Sequence, residues 1–336
     1  MTRIFITSRL SASTIAALGQ KAELEAYERS AERPLLPEEE FMARLAKADI
    51  LVTEADQITA SVLERCPKLR MVAATRGDPV NVDIDAATEH GVLVTNTPGR
   101  NAQAVTELTV ALMIMCARRI LPARDAMLEG NWASKPKGWI YLNFQGHELN
   151  GRVAGLVGMG AIGRKVAKLL LAFGMRVLAY DPYLAKEQAG SLGVELTGLN
   201  DLLRRSDFVS LHAAVTKETK DMMAKAQFSM MKSSAIFINS ARAALVDEQA
   251  MLEALKEKRI AGAGLDVFHR EPLAVTDPIL EFDNVVAIPH IGGATNDVIR
   301  HQSEMVYGDI EAFLDGQVPK NLVNRSVVSK PTPAIS

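Results

Sequence analysis

The sequence predicts an α/β fold built from two doubly wound, parallel-sheet domains around a central cleft. Short apolar runs typical of buried strands alternate with helical patterns along nearly the whole chain. The 336 residues exceed what one hydrophobic core usually holds, so they favour two domains. Near the middle of the chain a glycine-rich turn joins a strand to a helix, which is typical of parallel sheets that bind a ligand at their strand ends.

Residues 1–101 are predicted to form the sheet of the first domain, which is flavodoxin-like. Its strand candidates are Arg3–Thr7, Ala22–Tyr27, Ile50–Thr53, Arg70–Ala74 and Val92–Thr95. Helical patterns separate most of these strands, among them Glu38–Ala46 and Ser61–Cys66. This alternation predicts a parallel sheet with helices on both faces.

A turn-forming cluster, Thr97-Pro98-Gly99-Arg100-Asn101, follows the first set of strands. Asn101 is predicted to cap the N-terminus of a long helix over about Ala102–Arg119. Pro122 interrupts the helical pattern, and residues 130–150 are predicted to form an irregular arm rich in aromatic residues. Such an arm can be a partner surface, a lid over a pocket or a small local core.

The apolar run Val153–Val157 predicts a strand buried on both faces, and a glycine motif follows it directly. Gly158 permits a tight turn, Gly160 lets a pyrophosphate approach the backbone, and Gly163 lets the next helix pack close to the strand. That helix, about Ala161–Phe173, would direct the free N–H groups of its first turn and its positive dipole end at the phosphates. The N–H groups of Ala161 and Ile162 are therefore cofactor-binding candidates.

A carboxylate completes this Rossmann-like pattern. The strand Arg176–Tyr180 is followed by Asp181, which can accept both hydroxyls of an adenosine ribose and would repel a 2′-phosphate. A G-x-G-x-x-G alone is weak evidence, because ordinary turns also contain it. With a strand before it, a helix after it and an acid on the next strand tip, it predicts NAD as the cofactor in preference to NADP.

The α/β alternation resumes after Asp181. The strand candidates are Asp207–Leu211, Ala235–Asn239, Gly262–Val267 and Val285–Ile288, and the helix candidates are Asp201–Arg205, Ala226–Met231 and Asp247–Lys258, with Asp247 as N-cap. A last long helix is predicted from Gly293 to about Asp315, and a loosely held tail over Ser326–Ser336.

The last helix is predicted to return to the first domain, which makes that domain discontinuous. The substrate-binding domain would then comprise residues 1–101 and 296–336, and the NAD-binding domain residues 102–295. The two crossover helices, near 102–119 and 293–315, would form the hinge around the cleft.

Three polar side chains follow the strand candidates of the second domain. Arg242 comes just after Ile238-Asn239, Glu271 follows Gly264-Leu265-Asp266, and His290 follows Ile288-Pro289. In an open parallel sheet ligands bind outside the carboxyl ends of the strands, so these side chains are expected to face the crevice that holds the pyrophosphate turn.

The order of these motifs resembles the D-isomer-specific 2-hydroxyacid dehydrogenase family from about Ile4 to Arg325. The matching segments are NVDIDAATEHGVLVTNTPGRNAQAVTELT, GLVGMGAIG, FINSARAALVDEQA, AGAGLDVFHREPL and IPHIGGAT. The resemblance implies that Arg242, Glu271 and His290 form the active site of an NAD-dependent oxidoreductase. It also implies a homodimer joined through the nucleotide-binding domains.

The residue types fit that chemistry. Arg242 offers a planar fork of donors that can hold a substrate carboxylate and polarise the adjacent carbonyl. His290 can be the acid in reduction and the base in oxidation, because imidazole titrates near neutral pH. A hydrogen bond from Glu271 to the other ring nitrogen would fix the tautomer and favour the imidazolium.

Further residues are predicted around the nicotinamide. The resemblance pairs Asp266 with the nicotinamide carboxamide, although Asp266 could instead accept hydrogen bonds from loop N–H groups. Ser240, Ala241 and Gly293 are expected to line the same end of the cofactor. His212 is interpreted as a cleft-lining residue without a catalytic role.

The first domain is expected to choose the substrate. In relatives a Gly-rich loop after the fourth strand presents N–H groups to the substrate carboxylate; here Pro79 and Asp78 disturb that loop, and Arg76 could compensate beside Gly77. Asn101 is a further substrate-binding candidate.

The segment around Thr53 bears on the kind of substrate. Thr53, Glu54 and Asp56 stand where phosphoglycerate-specific relatives carry an arginine, so they would repel a dianion and could hydrogen-bond hydroxyls. We therefore expect a small or hydroxylated, sugar-acid-like 2-oxo acid.

Composition narrows the other possibilities. The net charge of −2 gives no basic excess for nucleic acid or an anionic membrane, and Cys66 and Cys116 stand singly, so neither a disulfide framework nor a metal site is expected. The N-terminus lacks a long apolar segment typical of secretory signals, which predicts a cytoplasmic protein. The dimer interface is expected on helix 102–119 and arm 121–150, with Met113, Met115 and Met127.

Two alternatives stay open. One is a phosphoglycerate dehydrogenase-like enzyme, and the other is a non-catalytic NAD(H)-sensing protein on the same scaffold, in which the Arg, Glu and His residues can be retained.

Overall fold

The computed structural model describes residues 1–27 and 35–329. Two compact units make up the chain: Met1–Arg100 with Thr295–Ser336, and Asn101–Ala294. Residues 330–336 of the predicted loose tail lie outside the described residues.

The first unit contains a sheet of five parallel strands in the order β2-β1-β3-β4-β5. The strands are β1 (Arg3–Ile6), β2 (Glu23–Ala26), β3 (Ile50–Thr53), β4 (Met71–Ala74) and β5 (Leu93–Thr95). The helices are Ala12–Gly19, Glu38–Leu45, Ala60–Arg65, Ile84–Glu89 and Asn296–Leu314, and a 3-10 turn covers Arg325–Ser329.

The strands of this sheet are apolar on both faces because both faces are covered. Phe5, Leu51 and Val72 pack in one cluster with the helices that connect the strands. On the opposite face, Val306 and Ile310 of the helix Asn296–Leu314 join a cluster with strand residues such as Ile4, Ile6 and Ile50. The last long helix of the chain therefore packs on the first sheet. Its N-cap is Thr295, whose hydroxyl accepts the Val298 N–H.

The second unit contains seven parallel strands in the order β12-β11-β10-β9-β6-β7-β8. They are β6 (Val153–Val157), β7 (Arg176–Tyr180), β8 (Glu195–Leu196), β9 (Phe208–Leu211), β10 (Ile236–Asn239), β11 (Gly262–Leu265) and β12 (Val285–Ala287). The helices are Ala102–Ala117, Ile120–Leu128, Asn131–Ser134, Trp139–Asn143, Ala161–Ala172, Lys186–Ser191, Leu199–Arg205, Lys225–Met230 and Glu248–Lys256, with 3-10 turns at Ala243–Leu245 and Pro278–Glu281.

Strand β6 lies where the order of this sheet reverses. It pairs with β7 on one side and with β9 on the other, so the connections that leave these strands run in opposite directions. Such a switch point opens a crevice at the carboxyl ends of the strands, which is where α/β sheets bind their ligands. The glycine turn follows β6 at this point.

The structure modifies three sequence predictions between Asn101 and residue 150. Asn101 is the N-cap residue of the helix Ala102–Ala117, as predicted, but its side chain makes no capping hydrogen bond. The helix breaks at Arg119, which has a φ of 50°, and not at Pro122; Pro122 lies in the first turn of the next helix, where a missing N–H costs nothing. The arm is not irregular throughout, since residues 131–134 and 139–143 are helical.

No helix within the described ranges is long and apolar enough to cross a membrane. Cys66 and Cys116 are free thiols. Among the residues that the structure describes, no group of three or more His, Cys, Asp or Glu side chains could hold a metal ion.

Candidate active site

The three glycines of the turn after β6 differ in what surrounds them. Gly158 has a φ of 95°, and its N–H donates to the Tyr180 carbonyl oxygen at 2.8 Å. A Cβ atom on Gly163 would lie 2.2 Å from the Gly158 carbonyl oxygen, so a side chain there would push the helix off the strand. A Cβ on Gly160 would meet nothing within 4 Å. The open side of the turn is therefore at Gly160, where a ligand can approach the backbone.

Backbone donors face that open side. The N–H groups of Gly160, Ala161, Ile162 and Gly163 have no hydrogen-bond acceptor among the described residues, as expected for the first turn of a helix. Free N–H groups together with the positive end of a helix dipole form a binding site for phosphate groups.

Asp181 lies at the end of β7 and braces the same turn. One carboxylate oxygen accepts the Met159 N–H at 2.8 Å, and the other accepts the Tyr183 N–H at 2.8 Å. A carboxylate oxygen can accept more than one hydrogen bond, so both remain able to accept ribose hydroxyls. The open glycine turn, the free N–H groups and this carboxylate fit an adenine dinucleotide.

Glu271 and His290 form a hydrogen-bonded pair. Nδ1 of His290 lies 2.7 Å from one carboxylate oxygen of Glu271, whose other oxygen accepts the Phe268 N–H at 2.9 Å. Burial raises the pKa of the Glu271 carboxyl. The hydrogen bonds from His290 and Phe268 and the charges of His290 and Arg242 outweigh burial and leave that pKa below its ordinary value. Glu271 is therefore ionised at neutral pH.

Arg242 lies beyond β10, in a loop that Asn239 holds. The side-chain oxygen of Asn239 accepts the Ala241 N–H at 3.1 Å, and its amide donates to the Arg242 carbonyl oxygen at 3.0 Å. Asn239 is 2% exposed, so its side chain serves this loop and not the solvent. The sequence signal for this role is an Asn at the end of a strand, which is also common in ordinary turns.

The three predicted side chains Arg242, Glu271 and His290 come together at one cavity of about 370 Å³. Its remaining lining is Val215, Ala243, Ala244, Val267, Phe268 and His269. Sequence analysis did not single out His269 or Val215, because nothing local marks either residue as facing this cavity.

Asp266 holds the loop that carries His290. Its carboxylate accepts the Ile291 N–H at 2.7 Å and the Gly292 N–H at 2.9 Å, which is the loop contact left open by the sequence. His290 itself has a φ of 50°, in the left-handed region that side chains rarely adopt. Burial raises the pKa of Asp266 more than the two N–H bonds and the charge of His290 lower it.

The residues predicted near the nicotinamide are placed as follows. The Ser240 hydroxyl is buried and lies 2.7 Å from the Thr109 hydroxyl, so it joins β10 to the helix Ala102–Ala117. A Cβ on Gly293 would lie 3.6 Å from the side-chain nitrogen of Asn101, so these two candidates are neighbours in the second unit.

His212 follows β9 beneath the glycine turn. Burial lowers the pKa of its imidazole to about 4, so the ring is neutral at physiological pH. One ring nitrogen lies 3.0 Å from the Ser210 hydroxyl, and the other is buried without a partner in the described part of the chain. A ring that keeps one charge state near neutrality is a poor acid–base group.

The substrate candidates of the first unit lie in the loop after β4. Arg76 donates to the carbonyl oxygens of Asp78, at 3.3 Å, and Glu54, at 3.4 Å. The Gly77 carbonyl oxygen accepts the Asn96 side-chain N–H at 2.7 Å.

The expectation that Thr53 and Asp56 offer hydrogen bonds to substrate hydroxyls is wrong. Thr53 is 0% exposed and Asp56 is 7% exposed, and the Thr53 hydroxyl donates to the Asp56 carboxylate at 2.6 Å. The Glu54 carboxylate pairs with Arg100 at 2.8 Å. Thr53 therefore pairs with Asp56, and Glu54 pairs with Arg100, inside the first unit.

Known proteins resemble the chain over both units. A family model described as D-isomer specific 2-hydroxyacid dehydrogenase, NAD binding domain, matches residues 110–292. The glyoxylate reductase of Thermococcus litoralis is 37% identical over 332 residues, which cover 98% of this chain and 99% of that protein. The D-3-phosphoglycerate dehydrogenase of Methanocaldococcus jannaschii is 37% identical over 326 residues, or 96% of this chain and 60% of that protein.

A solved structure agrees with these similarities. The TT0316 protein from Thermus thermophilus aligns with a TM-score of 0.84 and 35% sequence identity, covering 96% of this chain and 100% of that chain.

Proposed function

Because this chain belongs to the D-isomer-specific 2-hydroxyacid dehydrogenase family, we propose that it reduces a small 2-oxo acid to the D-2-hydroxy acid with NADH. The observation that carries this proposal is the Glu271–His290 pair beside Arg242 at one cavity. A bound nicotinamide would supply or accept the hydride. The residues of this chain would then bind the acid, orient it and move one proton.

Each of the three residues has a proposed role. Arg242 binds the substrate carboxylate and polarises the neighbouring carbonyl through its planar fork of donors. The ring nitrogen of His290 that faces away from Glu271 donates a proton to the carbonyl oxygen during reduction and takes it back during oxidation. Glu271 holds the ring in one orientation and stabilises its protonated form, because the carboxylate stays ionised.

We propose that the cofactor lies along the second unit. The glycine turn and the N–H groups of residues 160–163 would bind the pyrophosphate, and Asp181 would bind the adenosine ribose and disfavour NADP. Ser240, Ala241, Asp266 and Gly293 would lie near the nicotinamide. Residues 102–295 would then be the NAD-binding domain, and residues 1–101 with 296–336 the substrate-binding domain.

The proposed substrate is glyoxylate or a related small or hydroxylated 2-oxo acid. Glyoxylate reductases are similar to this chain over nearly their whole length, which supports the proposal. Arg76, Gly77 and Asn101 are the proposed substrate-binding residues outside the catalytic trio. A second candidate is 3-phosphoglycerate, because a D-3-phosphoglycerate dehydrogenase is equally similar over the part that matches.

A substrate panel tests the proposal. The purified protein should oxidise NADH when glyoxylate, hydroxypyruvate or a sugar-derived 2-oxo acid is added. This reaction should be faster than the reduction of NAD with 3-phosphoglycerate. Faster turnover of 3-phosphoglycerate would favour the second candidate. NADH binding without turnover of any member of the panel would favour a sensor protein.

We also propose a cytoplasmic homodimer. Large apolar side chains are exposed on the helical segment after Arg119, namely Ile120, Met127, Leu128, Trp132, Tyr141 and Leu142. Met113, which the sequence suggested for the interface, is 0% exposed and packs in the core, so it cannot take part. Two free thiols suit a reducing compartment.

Light scattering tests the dimer. The wild-type protein should give twice the chain mass, and the double variant Leu128→Ser, Trp132→Ala should give a mass closer to that of the monomer. A monomeric wild type would contradict the dimer.

A further inference from the structure

Arg164 occupies an unusual place for a cation. It lies in the first turns of the helix Ala161–Ala172, where the N–H groups and the helix dipole already present positive charge. The first turn of that helix contains no acidic residue. Among the described residues the Arg164 side chain, which is exposed, bonds to a backbone carbonyl oxygen and forms no ion pair with a carboxylate. A cation here adds to the positive charge of the helix N-terminus, and no carboxylate of the described chain pairs with it.

Arg164 is also anchored. Its Nε donates to the Met159 carbonyl oxygen at 2.8 Å, inside the glycine turn. The N–H of Met159 donates in turn to Asp181 at 2.8 Å. Both sides of Met159 are therefore fixed, its N–H by Asp181 and its carbonyl by Arg164.

The anchoring sets the direction of the next N–H. In a trans peptide the N–H points opposite to the carbonyl of the same unit, so fixing the Met159 carbonyl fixes the Gly160 N–H. That N–H has no acceptor among the described residues, and a Cβ on Gly160 would meet nothing within 4 Å. The donor thus faces open space at the side of the turn where a ligand fits.

We propose that Arg164 is a positioning and charge-supplying residue for the pyrophosphate of the dinucleotide. It holds the Met159–Gly160 peptide so that the Gly160 N–H is available, and its positive charge adds to that of the helix N-terminus. This inference rests on the proposed function, since it concerns the same cofactor.

Binding measurements with cofactor fragments test the inference without relying on turnover. ADP-ribose contains the pyrophosphate and adenosine lacks it, and both can be measured by displacement of NADH fluorescence. Arg164→Ala should weaken ADP-ribose binding at least about tenfold, as loss of a charge-assisted contact does, and leave adenosine binding within about twofold. Arg164→Lys should fall between wild type and Arg164→Ala, because it keeps the charge but not the planar donor set.

Lys168 provides a matched control, because it is an exposed cation one turn further along the same helix. Lys168→Ala should leave both ligands unaffected. An unchanged ratio of ADP-ribose to adenosine affinity in Arg164→Ala would overturn the inference, whether both affinities are kept or both fall equally. If Arg164→Ala does not fold, an unchanged ratio in Arg164→Lys overturns it instead. A wild-type protein that binds no NADH would defeat the proposed function as well. If the wild type binds NADH and turns over substrate but the affinity ratio is unchanged in Arg164→Ala, only this inference fails.

Discussion

The Glu271 carboxylate lies 2.7 Å from Nδ1 of His290, although 19 positions separate the two residues in the chain. Each partner is held by the backbone of its own loop. Glu271 accepts the Phe268 N–H, and the loop of His290 is tied to Asp266 by the Ile291 and Gly292 N–H groups. The pair is therefore set by the fold before any substrate binds.

The charge of Glu271 should set the pH range of activity. Glu271→Gln keeps a hydrogen-bond acceptor near His290 but removes the negative charge, which makes the protonated imidazole less stable. Because the pKa of Glu271 is lowered, the wild-type carboxylate is charged throughout the neutral range. In the variant the reduction rate should begin to fall at a lower pH than in wild type. A pH profile of kcat/KM for both proteins checks this, and superimposable profiles would contradict the role of Glu271.

Asp266 should make the stability of the fold depend on pH in a particular direction. Its pKa is raised in the folded chain, so the folded state holds the proton more tightly than the unfolded state does. That contribution is complete below the ordinary value of 3.8 and is lost as the pH rises through the raised value. The free energy of unfolding of wild type relative to Asp266→Asn should therefore decrease as the pH rises above 3.8 and then level off. Urea denaturation measures it, and a difference that grows with pH would refute the assignment.

Gly160 and Gly163 should respond differently to the same substitution. Gly160→Ala meets no atom within 4 Å and has an ordinary φ of −70°, so it should fold with nearly the wild-type melting temperature but lose NADH affinity. Gly163→Ala places a Cβ 2.2 Å from the Gly158 carbonyl oxygen, so it should lower the melting temperature by several degrees. Thermal denaturation and NADH titration are measured for both variants, and each variant is the control for the other. Unchanged NADH affinity in Gly160→Ala would argue against the site of pyrophosphate binding.

Asp181 should control the choice between the two nicotinamide dinucleotides. Asp181→Asn removes the negative charge but keeps one acceptor oxygen for the turn that the carboxylate braces. The preference for NADH over NADPH, measured as a ratio of kcat/KM values, should fall by on the order of tenfold or more. Asp283→Asn, at an exposed acid of the same unit, should leave the ratio unchanged. An unaltered ratio in Asp181→Asn would mean that another group distinguishes the ribose hydroxyl of NADH from the 2′-phosphate of NADPH.

The glycine turn could be predicted because its signal is local, and the shared location of Arg242, Glu271 and His290 was expected because each residue follows a strand of one parallel sheet. Strand β6, Gly158, Gly160 and Gly163 form one continuous stretch whose spacing is imposed by the turn itself. Strand β8 was missed because Glu195–Leu196 is too short to show a pattern. The helix break was predicted at Pro122 but lies at Arg119. A proline is also tolerated in the first turn of a new helix, so its position in the sequence does not fix the residue at which the chain breaks.

The contacts that position the site could not be predicted in the same way. The bonds from Asp266 to the Ile291 and Gly292 N–H groups, and from Thr109 to Ser240, join residues that only the folded sheet brings together. The burial of Asp56 likewise depends on packing, so a carboxylate that looked available for substrate is a structural group.

His290→Ala tests the central claim most directly, because it removes the proposed acid–base group and leaves the glycine turn untouched. Reduction of the best 2-oxo acid should fall on the order of 10²- to 10⁴-fold, while the Kd for NADH, measured by fluorescence titration on the same sample, stays within about twofold of wild type. Turnover close to the wild-type rate with intact NADH binding would show that the proton moves through another group, and the account of this site would be wrong.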